Sequence, residues 1–268
     1  MITVVTDTSA GYSRAEIESR GVRLISIAYL ISGIPYSEQP RGENGDFAER
    51  MRGRSVKTSQ PASVAFTRIF EECTEGGGEV LCILLSGALS GTYSSAVRAA
   101  EPFGKRVRVF DSGTTNGGLH LLVDEAVNMI VGNLSLDEIC HNLEELKKKI
   151  SVVFSVETLE PLKKGGRLPS AEGAATTLNS RPIFVLEDSI RFVCNVRGGK
   201  SRVKALVDAV PDTARRIFLM KTEGGDTTAI EEALTARFPH IKIHLRTVGP
   251  VLTAHLGEGA VGIAYISR

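Results

Sequence analysis

The chain has 268 residues, enough for one large domain or two modest ones with a substantial core, and a net charge of +1. That balance excludes bulk attraction to nucleic acid or to an anionic membrane, and aromatic residues at 6% with no tryptophan argue against a base-stacking surface. No apolar run is long enough to cross a bilayer, the start "MITVVTDTSAGYS" lacks the regions of a signal peptide, and four scattered cysteines without a Cys-x-x-Cys read as reduced thiols of a cytoplasmic protein.

The run at 2–6 (ITVVT) predicts a strand, and 13–21 a helix that Ser13 caps, with Glu16 at the capping-box spacing and Gly21 as its stop. Residues 22–31 read as a second strand, followed by a Gly-Pro turn in "SGIPYSE". Helices are expected at 44–52 and 63–78, with 55–61 (SVKTSQP) as a loop between them. Residues 79–86 (EVLCILLS) are apolar almost throughout, the mark of a strand buried on both faces. A helix, a strand at 106–112, a long helix after "TTNGG" and a helix at 135–150 follow, the last with Ser135 as cap and Glu138 three residues on. Beyond 150 come a strand, a short helix ending at Gly-Gly, a hairpin around "EDS", a basic helix, and strand-helix alternation to the end.

This pattern predicts an α/β fold of two α/β domains, 1–150 with a mainly parallel sheet flanked by helices and 151–268 of mixed pairing. In such sheets a ligand lies outside the carboxyl ends of the strands. Three strands end in similar polar chemistry there: "TDTS" (6–9), "SGALSGT" (86–92) and "DSGTT" (111–115). Ser90 can cap the following helix or help hold an anion at a helix start that glycine leaves open. "GALSG" fails the Gly-x-Ser-x-Gly spacing of a hydrolase elbow and no Walker loop occurs, so binding is favoured over covalent chemistry for this hydroxyl. Thr58 in "KTSQP" is a surface-loop residue or a second hydroxyl converging on Ser90. Arg167 follows a Gly-Gly helix stop, where its guanidinium can reach a carboxylate or phosphate. His255 packs in a short helix or donates to a ligand carboxylate. Asp7 and Asp111 each follow a strand, as turn caps or as a pair for Mg²⁺ or acid-base work. The five histidines show no metal-ligand spacing, so no metal is expected.

Together "VVTDTSAGYS", "KTSQPAS", "ILLSGALSGTYSSA", "VFDSGTTNGGL", "LKKGGRL", "NSRPIF", "VRGGKSR" and "VGPVLTAHLGEGAVGIAY" resemble, in order and spacing, the DegV family of fatty-acid-binding proteins. The resemblance runs over essentially the whole chain. It implies one long-chain fatty acid clamped between the two domains and no other cofactor. The carboxylate would be held by Thr58, Ser90 and His255, with Ser59, Gly91 and Thr92 in the supporting turns and Arg167 facing the head group or a partner. It also implies a partner fatty-acid kinase, lipid exchange by transient membrane contact, and no catalysis by the chain itself. A hydrolase or transferase acting through Ser90 is the alternative. Thr8-Ser9 is exchanged relative to the family's usual order, Leu256-Gly257-Glu258-Gly259 replaces a Gly-Pro-Gly-like turn, and 168–183 carries Pro169 and few large apolar residues.

Overall fold

The computed structural model describes residues 1–168 and 179–268. Pro169 and its neighbours to residue 178 lie outside the described residues. Strand β1 (Ile2–Asp7) leads through a 3-10 turn at Thr8–Ala10 into helix α1 (Arg14–Arg20). The expected capping box is present: the Ser13 hydroxyl accepts from the Glu16 N–H, and the Glu16 carboxylate accepts from the Ser13 N–H at 2.8 Å.

The run 22–31 is two strands rather than one. β2 (Arg23–Ile25) pairs parallel with β1, whereas β3 (Ala28–Ile31) leaves to pair antiparallel with β4 (Ile34–Ser37) and β5 (Val56–Ser59). The break falls where the Ile27 N–H is taken by the Thr8 hydroxyl at 3.1 Å instead of by a neighbouring strand. The turn after β3 is Ser32-Gly33, both at positive φ (50° and 86°), and not Gly-Pro. Pro35 sits inside edge strand β4, where its missing N–H breaks no ladder. The stretch expected as a loop at 55–61 contains β5, because Val56 and Thr58 alternate inward with exposed Lys57 and Ser59.

Helices α2 (Phe47–Met51) and α3 (Ser63–Thr74) flank β5. Strand β6 (Glu79–Leu84), helix α4 (Thr92–Ala100), strand β7 (Val107–Asp111), helix α5 (Gly117–Val131) and helix α6 (Leu136–Lys147) complete the first half. β2, β1, β6 and β7 form a four-stranded sheet, in that order, all parallel.

The second half holds β8 (Ile150–Ser155), α7 (Glu160–Lys164), β9 (Ser180–Glu187), β10 (Ser189–Arg197), α8 (Gly199–Asp208), β11 (Ala214–Lys221), α9 (Thr228–Arg237), β12 (Ile243–Thr247), α10 (Pro250–Leu256) and β13 (Val261–Ser267). Its strands form one six-stranded sheet, ordered β10-β9-β8-β13-β11-β12 and antiparallel except for β11 with β12.

Helices α3 and α4 cover one face of the parallel sheet, and α8 and α9 pack at the outer face of the larger one. Between the two sheets lies α5, touching β1 and β6 on one side and β8 and β13 on the other. Residues 117–124 are buried all round the helix, as that position requires. Gly117 is required there: a Cβ would come within 2.7 Å of the Ala264 methyl and 2.8 Å of the Met220 sulfur. The largest core cluster accordingly runs from Leu81 and Ile83 through Leu119 and Leu122 to Phe154, Phe184 and Phe218.

A polar brace crosses the same interface. Arg246 of β12 donates to Glu16 at 2.8 Å, and Arg216 of β11 and the Tyr12 hydroxyl donate to Asp124 at 2.5 and 2.9 Å. Burial raises the Glu16 carboxyl, but the bonds from Arg246 and the Ser13 N–H outweigh it and hold the group well below its usual range. Burial, with Arg246 alongside, pushes His120 down to about 3, so the ring that stacks on Tyr12 at 3.7 Å is neutral near pH 7.

Candidate ligand-binding site

A cavity of about 310 Å³ opens at the carboxyl ends of the parallel strands. One wall comes from the bends after β6 and β7, with Leu85, Leu89, Ser90, Thr115 and Asn116. The larger sheet supplies Val152, Phe154 and Met220 opposite, and α10 supplies Val251, Leu252 and His255. The walls are mostly apolar, so the polar groups stand out.

Thr58, Ser59, Ser90, Arg167 and His255 all line this one cavity, from four separate parts of the chain. Thr58 Oγ1 lies 2.9 Å from His255 Nε2. Ser90 Oγ is 2.9 Å from Thr92 Oγ1 and accepts from the Thr92 N–H at 3.3 Å. Gly91, and not Ser90, is the residue bounding α4, and it makes no side-chain cap. The Gln60 amide packs against its Cα, so any Cβ would collide with it, and Gln60 Nε2 donates to Ser95 Oγ at 3.3 Å. Gly91 therefore lets the Thr58 strand approach the Ser90 bend.

Two glycines fix the basic groups. Gly165 sits where a Cβ would lie 2.5 Å from His255 Nδ1, so the imidazole rests on bare backbone. Gly166, at a φ of 69°, reverses the chain after α7. Arg167 then turns back, donating from Nε to the Leu89 carbonyl at 3.0 Å and from Nη1 to the Gly165 carbonyl. Burial and the neighbouring guanidinium push His255 down to about 4. It is thus a neutral hydrogen-bonding group near pH 7. Its ring resonances are expected to titrate near pH 4 in an NMR titration of the ligand-free protein; titration at the ordinary 6.5 would refute its burial.

Asp7 and Asp111 serve the backbone. Asp7 accepts from the N–H groups of Ser9 and Leu85 at 2.9 and 2.8 Å, and Asp111 from those of Gly87 and Gly113 at 3.1 and 3.0 Å. These bonds shape the bends that carry the cavity wall.

Sequence reasoning missed Asn116 and Glu38. Asn116 lines the cavity at φ 47°, ψ −123°, a conformation costly for any side chain, and the following Gly-Gly is the only hint of an unusual turn. Glu38 is 2% exposed and accepts from the Val251 N–H at 3.1 Å, at the start of the helix that carries His255. Nothing in "YSEQP" signals a buried carboxyl.

The DegV family model, described as an uncharacterised protein family, matches residues 1–268. The chain belongs to the DegV family. A DegV domain-containing protein of Deinococcus radiodurans is 31% identical over 278 residues, covering 98% of this chain and 97% of the relative. Among solved structures, a DegV family protein from Thermus thermophilus, described by its fatty acid binding, superposes with a TM-score of 0.90 at 29% identity, covering 100% of this chain and 99% of that one. DegV from Bacillus subtilis, described as a fatty acid binding protein, gives 0.87 at 29% identity with the same coverage. The mixed α/β architecture, with its helix-flanked parallel sheet, is thus the DegV fold. Among the described residues no helix is long and apolar enough to cross a membrane, and no cluster of three or more His, Cys, Asp or Glu could hold a metal.

Proposed function

We propose that this DegV chain binds a long-chain fatty acid in the cavity, as a tunnel between lobes 1–150 and 151–268, without turning it over. The observation that carries this is one apolar cavity into which Thr58, Ser90 and His255 bring hydrogen-bonding groups from separate elements. The fatty-acid-binding relatives at 29% identity support it. Each buried methylene contributes roughly 0.8 kcal/mol, so a long acyl chain brings on the order of 10 kcal/mol before binding costs. The hydroxyls and the imidazole then decide which end faces them.

In this reading neutral His255 donates from Nε2 to Thr58 Oγ1, which frees the Thr58 proton for the carboxylate. Thr92 gives Ser90 Oγ both its N–H and its O–H, which frees the Ser90 proton in the same way. Ser59, Gly91 and Thr92 support these turns. Arg167, already beside His255, faces the head group or the site of a kinase that supplies the nucleotide and metal. Loading would take place in the cytoplasm with transient membrane contact. A nucleophilic Ser90 would need a base within reach, whereas the histidine of this cavity bonds Thr58 instead.

Mass spectrometry of protein purified without detergent, first native and then denatured, tests the reading. One fatty acid per chain is the expected mass difference. A bare chain that takes up no added fatty acid would overturn it.

A further inference from the structure

The hydroxyl-rich bend after β6 has a second serine, Ser86, that the carboxylate site does not use. Ser86 is 1% exposed and donates from Oγ to the Asp188 carbonyl at 2.5 Å, 102 residues away. Asp188 is the tip of the β9–β10 hairpin, at a φ of 59°. Its N–H donates to the Gly113 carbonyl at 2.9 Å, and Lys147 Nζ lies 3.3 Å from its carboxylate while donating to the Asp111 carbonyl at 3.2 Å. The tip of a hairpin from the larger sheet is therefore fastened to the bends after β6 and β7.

That hairpin carries Leu186 and Ile190, paired across it and both lining the cavity. Strand register places them at the end away from His255. Gly257, just past His255, packs on Pro161 and Thr158, beyond the carboxyl end of β8. Leu186 pairs with Val152, three residues back along β8 from Ser155, or about 10 Å at about 3.3 Å per residue. Leu186 also has a second side. It lines a separate groove of about 320 Å³, whose other walls include Ser112, Lys147, Ser151 and Tyr265. One buried side chain, 4% exposed, thus stands between the apolar cavity and a polar groove.

We propose, resting on the fatty-acid reading, that this hairpin tip sets the chain length the protein accepts, with Leu186 and Ile190 as the end wall and Ser86 as its fastening. An acyl chain anchored at Thr58 and His255 runs toward Leu186, and its methyl end stops there. A longer chain must displace the wall toward the polar groove, which costs apolar contact. Because the tip is held by hydrogen bonds to bends rather than by a continuous ladder, it can also swing to admit or release a ligand.

The test offers stripped protein an equimolar series of saturated, even-numbered acids from dodecanoic to eicosanoic, then identifies what is bound by denaturing mass spectrometry. Leu186→Ala removes three carbons from the wall, and the dominant bound acid is expected to lengthen by about two carbons. Ile190→Phe, a change at a half-buried position, should shorten it, and stands as the second reading if Leu186→Ala fails to fold. Ser86→Ala should loosen the wall, shift the bound acids toward longer chains and speed ligand release about 3- to 10-fold. Wild type and Ile190→Phe loading the same acids in the same proportions would overturn the proposal. Wild-type protein that loads no acid would instead overturn the fatty-acid reading on which it rests.

Discussion

A chain carrying both Thr58→Val and Ser90→Ala is expected to lose bound fatty acid about 100- to 10,000-fold faster than wild type. A hydrogen bond to a charged group contributes about 1.5–3 kcal/mol, so two removed together weaken the hold by about 3–6 kcal/mol, at about 1.4 kcal/mol per factor of ten. Valine keeps the shape of threonine and alanine removes one atom from serine, so the apolar walls stay intact. What changes is the end of the ligand that must be solvated by protein. Without the Thr58 and Ser90 hydroxyls, the carboxylate faces a neutral imidazole and the Arg167 guanidinium. The measurement is displacement of a fluorescent fatty acid, followed alongside thermal unfolding because the Thr58 change also leaves His255 Nε2 without its partner at 2.9 Å. Release rates equal to wild type, in protein of unchanged melting temperature, would remove Thr58 and Ser90 from the site.

The elements set by local chemistry were legible in the sequence. Ser13 with Glu16 and Ser135 with Glu138 give both capping boxes, and the unbroken apolar run of β6 gives a strand covered on both faces. What was not legible depends on partners far along the chain. The break at Ser26-Ile27 exists because the Thr8 hydroxyl takes the Ile27 N–H, a contact across 19 positions. β5 is a strand because β3 lies beside it, although Thr-Ser-Gln-Pro alone reads as a connector. The same holds within the site. Ser90 and His255 could be nominated from turn chemistry and from family resemblance, but the second task of the bend is visible only once Asp188 is seated against Ser86.

Glu38 carries the other large expected effect, a loss of stability as pH rises toward 7. Desolvation raises its carboxyl to about 7 despite bonds from Thr8 and the Val251 N–H, and the nearby Asp7 charge adds to the rise. Its Oε2 is buried without a hydrogen-bond partner. A carboxyl that titrates near 7 in the fold and near 4.5 when unfolded favours folding while both states are protonated, and that advantage disappears as pH rises through 7. Ionising it therefore costs the fold about 3 kcal/mol at about 1.36 kcal/mol per pH unit. Glu38→Gln cannot ionise. Its amide keeps an acceptor for Val251 and places a donor where Oε2 stood, a penalty independent of pH. The stability of the variant relative to wild type should thus climb by about 3 kcal/mol between pH 4.5 and just above 7, then level off, in urea unfolding at a series of pH values. The same carboxyl meets the first turn of α10, and His255 lies one turn further along that helix. Neutral Glu38 holds that turn without a buried charge, so fatty-acid release should quicken only where the folded carboxyl itself ionises, around pH 7, and stay level below that. A flat difference from pH 4.5 to 8 would mean that Glu38 ionises like an ordinary carboxyl and that water reaches it in the folded chain.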